Sequence, residues 1–146
     1  MRKLLLAVIV SLSTVSTAAL AEIKVGIILG FTGPIESLTP AMRDGAKMAF
    51  DEASNSGNLL GGETITILEG DSTCADSAAG TAAAEDLVAQ GVTAIMGADC
   101  SGVTGAINAN VAVPNGILMV SPSATSPGLS KVPDNGTFWR TAPSDA

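Results

Sequence analysis

The stretch VTAIMGADCSGVTGAINANVAVPNGILMVSPSATSP, residues 92–127, decides the fold class. It opens on a short apolar run, Val92–Gly97, and passes through a polar loop. A helix-like segment begins at Ser101, and Pro114 and Gly116 are expected to close it. A second apolar run, Ile117–Val120, follows, and then the hydroxyl-rich, uncharged loop Ser121–Pro127. Apolar runs that do not alternate with polar residues fit strands covered on both faces, as in a parallel sheet.

The same rhythm extends outward. IKVGIIL (Ile23–Leu29) reads as another buried strand, followed by the Gly/Pro loop GFTGPIES. The segment from Thr39 to about Asn55 reads as a helix, with Thr39 as N-cap, Pro40 at the first helical position, and Asn55–Gly57 as its end. Ala41, Ala46, Met48, Ala49 and Phe50 give it an apolar face. A strand is expected near Thr64–Glu69, a helix from about Asp76 to Gln90 stopped by Gly91, and a last strand in GTFWRTAP. Alternating strands and helices with short loops predict an α/β fold, a doubly wound parallel sheet with right-handed crossovers. In such a sheet a ligand lies beyond the carboxyl ends of the strands. The loops GFTGPIESL, GDSTCADS, GADCSGVTG and SPSATSP all fall there.

Residues 1–21 stand apart. A basic start (Arg2, Lys3), an apolar core and a small-residue Ala19-Leu20-Ala21 ending predict a cleavable signal peptide and a periplasmic location. Setting Arg2 and Lys3 aside leaves 5 of the 7 basic residues against 14 acidic ones, a net charge of −9. An acidic chain without a basic cluster argues against nucleic acid and anionic membrane surfaces.

The chain has no His and no Tyr. It therefore offers no His general base and no His-rich metal site, and nothing in it calls for a cofactor. Its two cysteines, Cys74 and Cys100, in an exported chain favour a disulfide, with two free thiols as the alternative. ADCSG imitates a nucleophile elbow around Cys100, and GDS (Gly70–Ser72) imitates an esterase serine block, but each lacks the His that such chemistry needs. GFTGP lacks the Lys of a phosphate loop. What remains is uncharged. Ser101, with the amides of Gly102 and Val103, offers donors for an anion at a helix start. Ser123 and Thr125 offer hydroxyls and nearby carbonyls. Donors beside acceptors suit a zwitterion such as an amino acid, and ordinary Ser/Thr turn chemistry is the competing explanation.

IKVGIILGFTGP, GDSTCADSAAGTAAAEDLVAQGVTAIMGADCSGVTGA, GILMVSPSATSP and FWRTAPSDA, in that order, resemble type I periplasmic binding proteins of the leucine/isoleucine/valine-binding group. The resemblance runs from about Ile23 to the last residue and implies a Rossmann-like lobe of a two-lobed clamp joined by a three-strand hinge. It implies a solute-binding receptor of an ABC importer, monomeric and not an enzyme, that takes an amino acid or a related small carboxylate or amide and docks on membrane permease subunits. The alternatives are a ligand-sensing domain of a signalling receptor and, more remotely, a cysteine hydrolase. The resemblance places Cys74 and Cys100 at a disulfide, Ser101 with Gly102 at the ligand carboxylate, and Ser123, Ala124 and Thr125 in the loop that holds carboxylate and ammonium. It places Leu38 near the ligand side chain, at a position often aromatic in relatives. Relatives run to well over twice this length, so residues 22–146 are expected to be a first lobe with its second lobe missing. A lone lobe is expected to leave its final strand and helix without partners, with apolar surface uncovered.

Overall fold

The computed structural model describes residues 22–145. The expected signal peptide, residues 1–21, lies outside them. Five strands form one parallel sheet: β1 (Ile23–Leu29), β2 (Ile65–Asp71), β3 (Ala94–Gly97), β4 (Leu118–Ser121) and β5 (Phe138–Arg140). Their order is β2-β1-β3-β4-β5. The chain thus runs outward from β1 in one direction, then crosses back over it and runs the other way. Between β1 and β3 the winding reverses, and there the loops leaving the two strands splay apart and open a crevice.

Register sets which side chains share a face. Val25 lies opposite Ala94, and Ala94 opposite Leu118. One residue on, Ile95 lies opposite Met119, and Met119 opposite Phe138. The second set faces helices α2 (Ser77–Ala89) and α3 (Ser101–Ile107). Ile28, Ile95, Met119 and Phe138 pack there with Ala84, Leu87, Val103 and Ile107 in the main core. The two helices meet closely at Gly80, where a Cβ would collide with Val103.

Among the described residues the other face carries only α1 (Thr39–Asn55). Its Ala46, Ala49 and Phe50 form one wall of an apolar groove of about 330 Å³, and Val25, Ala94, Met96, Leu118 and Val120 form the floor. Leu118 of that floor is 43% exposed. The last strand itself is paired, β5 with β4.

Three local expectations change. Thr39 is not the N-cap of α1: Leu38 takes that position without a side-chain bond. Thr39 lies just inside, fully buried, and its hydroxyl donates to the carbonyls of Gly30 and Glu36, both at 3.2 Å. Met48 is not part of the apolar face, since it is 63% exposed; it lies two residues from Ala46 and Phe50, on the far side of a 3.6-residue turn. Pro114 does not close its helix. After α3 comes a π turn, Asn108–Ala112, and then α4 (Val113–Asn115), which contains the proline. The Val113 amide bonds back to the Asn108 carbonyl, which widens the turn just ahead of the residue that has no N–H. The helix stops at Gly116, φ +65°.

Glycine at position 97 is obligatory. Its φ is +135° and an added Cβ would run into the Ile28 carbonyl, where β3 lies against β1 at the crevice. Gly45, on α1, faces open space. Gly45→Ala is expected to stabilise the fold by about 0.5–1 kcal/mol through helix propensity. Gly97→Ala is expected to destabilise it by at least about 2 kcal/mol. Denaturant unfolding followed by far-UV circular dichroism distinguishes the two.

Candidate functional site

Because every strand is parallel, all carboxyl ends share one edge. Four segments rim it: Gly30–Leu38 after β1, Ser72–Asp76 after β2, Ala98–Cys100 after β3 and Pro122–Ser126 after β4. Each is tied to its neighbours.

Cys74 and Cys100 form a disulfide with Cα atoms 5.2 Å apart, which joins the β2 and β3 segments. Cys100 is therefore no free thiol, and the hydrolase alternative loses its nucleophile. Ser72 of GDS is fully buried and donates to Asp99 at 2.9 Å, a structural bond. The backbone turns sharply before the disulfide, with Thr73 at φ +54° and Cys74 at φ +64°. Local side chains hold the strained amides: Asp71 Oδ1 accepts from the Thr73 N–H at 2.8 Å, and Ser72 Oγ accepts from the Cys74 N–H at 3.3 Å.

Ser101 begins α3, and its Oγ accepts two backbone bonds, from the Thr125 and Ser126 amides, each 3.1 Å. A hydroxyl has two lone pairs and one proton. Both lone pairs are engaged, and among the described residues no acceptor takes the proton. Cys100, the N-cap, forms no side-chain cap, and Gly102 is exposed with open space before it. The start of α3 thus presents one hydroxyl proton beside uncapped amides.

The β4 loop is fixed from below. Ser123 Oγ donates to the Asp99 carbonyl at 2.9 Å. Ala124 is fully buried; its amide donates to Ser121 Oγ at 3.0 Å and its carbonyl accepts from Arg140 at 3.3 Å. Arg140 also donates to the Ser126 carbonyl at 2.9 Å, so β5 grips the loop by its oxygens. Thr125 Oγ1 donates to Asp145 Oδ2 at 2.8 Å, and the Asp145 amide donates to the Thr125 carbonyl at 3.0 Å.

Hydrogen bonds thus bring Ser101, Ser123, Ala124 and Thr125 together, with Gly102 adjacent. The backbone groups of Ala124 are directed inward, so it serves the loop rather than the rim. Leu38 is 58% exposed and touches this cluster through no direct bond. Sequence reasoning passed over Asp71, Asp99, Arg140 and Asp145. A charge at the carboxyl end of a strand, as at Asp71 ending β2 and Asp99 two residues past β3, was the available signal.

Asp71 straps the β1 loop, accepting from Thr32 Oγ1 at 2.6 Å and from the Thr32 amide at 3.3 Å. Burial raises its pKa, and the bonds from Thr32, Thr73 and Phe31 lower it by more, so it lies below the ordinary 3.8.

The sequence profile of the periplasmic binding protein family matches residues 22–146. The Leu/Ile/Val-binding protein BraC3 of Rhizobium johnstonii is 33% identical over 129 residues, which cover 88% of this chain and 34% of that protein. The isoleucine complex of the branched-chain amino acid transporter substrate-binding protein LivJ from Streptococcus pneumoniae superposes with a TM-score of 0.75 at 30% identity, covering 86% of this chain and 35% of that one. A Rhodopseudomonas palustris solute-binding protein in complex with 3,4-dihydroxybenzoic acid shares the fold alone, with a TM-score of 0.71 at 18% identity. The chain spans about a third of the length of the relatives it matches.

Two outcomes follow from the rim. Replacing Cys74 and Cys100 together with Ser is expected to destabilise the fold by roughly 3–4 kcal/mol, measured by denaturant unfolding without reductant. Asp71, with its lowered pKa, contributes stability that is present above its unfolded pKa and lost as pH falls through the folded one. The stability gap between wild type and Asp71→Asn is therefore expected to narrow as pH drops below about 4, read from unfolding curves at pH 7 and pH 3. With sheet order, rim and sequence in agreement, the chain belongs to the periplasmic binding protein family, whose members bind substrates and are not enzymes.

Proposed function

We propose that residues 22–146 are the first lobe of an extracytoplasmic solute-binding receptor that delivers an amino acid, or a related small carboxylate or amide, to the permease of an ABC importer. One observation carries the reading. At the switch-point edge of the sheet, the Ser101 hydroxyl keeps a proton with no internal acceptor while both of its lone pairs are tied to the β4 loop. A fixed donor beside uncapped helix amides is what a carboxylate needs.

The roles then divide. Ser101 and Gly102 donate to the carboxylate. The oxygens of Ser123 and Thr125, whose protons already point elsewhere, accept from an ammonium. Ala124 holds the loop, and Leu38 meets the ligand side chain. No cation is required in the pocket, so a neutral zwitterion enters without stranding a buried charge. The names of the relatives support an amino acid and a transporter. Residues 1–21 would be removed on export to the periplasm, and the receptor would act as a monomer.

Titration of the isotope-labelled chain with L-leucine, L-isoleucine and L-valine, followed by amide NMR, tests the site. Shifts are expected at Ser101, Gly102, Ser123 and Thr125. Ser101→Ala is expected to weaken binding by about tenfold or more, the worth of one bond to a charged group. Shifts scattered elsewhere, or none at saturating amino acid, would exclude this site. N-terminal sequencing of secreted protein is expected to begin at Glu22; an intact Met1 in the exported chain would contradict the export reading.

A further inference from the structure

Asp99 makes none of the ligand contacts assigned above, yet it touches all four rim segments. Its side chain belongs to a residue only 3% exposed. Oδ2 accepts from the Gly30 amide of the β1 loop at 2.7 Å. Oδ1 accepts from Ser72 Oγ of the β2 loop at 2.9 Å and from the Cys100 amide at 3.0 Å. Its backbone carbonyl accepts from Ser123 Oγ of the β4 loop. Among the described residues no cation pairs with it; the only salt bridges there are Arg43–Asp44 and Lys47–Glu69. Three converging donors alone balance the buried carboxylate, so each is strongly held.

A second bond carries this constraint onward. The Gly30 carbonyl accepts from Thr39 Oγ1 at 3.2 Å, and Thr39 directly follows Leu38 at the start of α1. Asp99, Gly30 and Thr39 therefore form a line of two hydrogen bonds that ends beside Leu38. We propose that Asp99 is a positioning residue that sets the separation between Leu38 and Ser101, and through it the size of ligand side chain the cleft accepts. This rests on the receptor reading given above.

The split between the two carboxylate oxygens makes the proposal testable. In Asp99→Asn the amide oxygen can keep both Oδ1 donors, Ser72 and Cys100. The amide NH2 then faces the Gly30 N–H, donor against donor. The β1 loop is released while the Ser101 side stays in place. Thr39→Val cuts the same line at its far end and leaves Asp99 and Gly30 bonded.

Amide hydrogen exchange and NMR titration with L-leucine and L-alanine, on the full chain and both variants, decide the matter. In Asp99→Asn, Gly30 and Leu38 are expected to exchange about tenfold faster or more, with Thr125 and Ser126 changed less than about threefold. In Thr39→Val, Leu38 accelerates while Gly30 stays protected. Both variants are expected to shrink the leucine-to-alanine affinity ratio by about threefold or more, with the ligand-induced shift at Ser101 retained. Equal acceleration at all these amides, or an unchanged affinity ratio, would overturn the proposal. If Asp99→Asn does not fold, an unchanged ratio in Thr39→Val overturns it alone. If neither amino acid perturbs the wild-type chain, the receptor reading fails, and the exchange data still show whether Asp99 governs the β1 loop.

Discussion

The parallel pairing of β1 with β2 on one side and β3 on the other is the constraint from which the molecule follows. Those ladders bring Ile23–Leu29 beside segments about 40 and 70 residues away in sequence. Parallel strands need long crossovers, and the crossovers become helices. They also send every strand in one direction, so every polar loop emerges at the same edge. Four loops with no sequence proximity become neighbours, and the reversal of winding between β1 and β3 leaves a gap among them. The site is a by-product of strand direction before it is a matter of particular side chains.

What those side chains add is rigidity. The disulfide, Asp99 and Arg140 all work from below, on backbone atoms and on one another. Arg140 pulls on carbonyls of the β4 loop, and Ser101 takes the amides of the same loop. A loop held by both its donors and its acceptors has little freedom left to lose when a ligand arrives. Asp99 stays buried beneath it, while Asp145 is exposed and takes the Thr125 hydroxyl proton.

Much of this was legible in the sequence. Continuous apolar runs gave β1, β3 and β4, the strands at the middle of the sheet, while β2 and β5 were read from less apolar segments in the same strand–helix rhythm. The cysteines and the Ser101, Ser123 and Thr125 cluster were also visible, as polar residues at strand exits. Asp99 and Arg140 were not. The partners of Asp99 at Gly30 and Ser72 lie 69 and 27 residues away, and no local pattern reports such a meeting. Thr39 and Pro114 were misjudged for a related reason. A hydroxyl before a proline looks like a cap, and a proline looks like a stop, until tertiary contacts offer the hydroxyl another acceptor and the helix another turn.

The half-covered sheet has a consequence for anyone handling this chain at the bench. Dyes that brighten on apolar surface are usually taken to report a loosened, molten state. Here Met96, Leu118 and Val120 offer such a surface in the folded form, between the strands and Phe50. The native protein should therefore glow before it is heated, and a dye-based melting curve would start high and read as instability. The intrinsic fluorophore helps little, because Trp139, the single tryptophan in a chain without tyrosine, is 62% exposed while folded. Backbone signals are the faithful witnesses for this fold, and a bright dye baseline is a mark of its native shape.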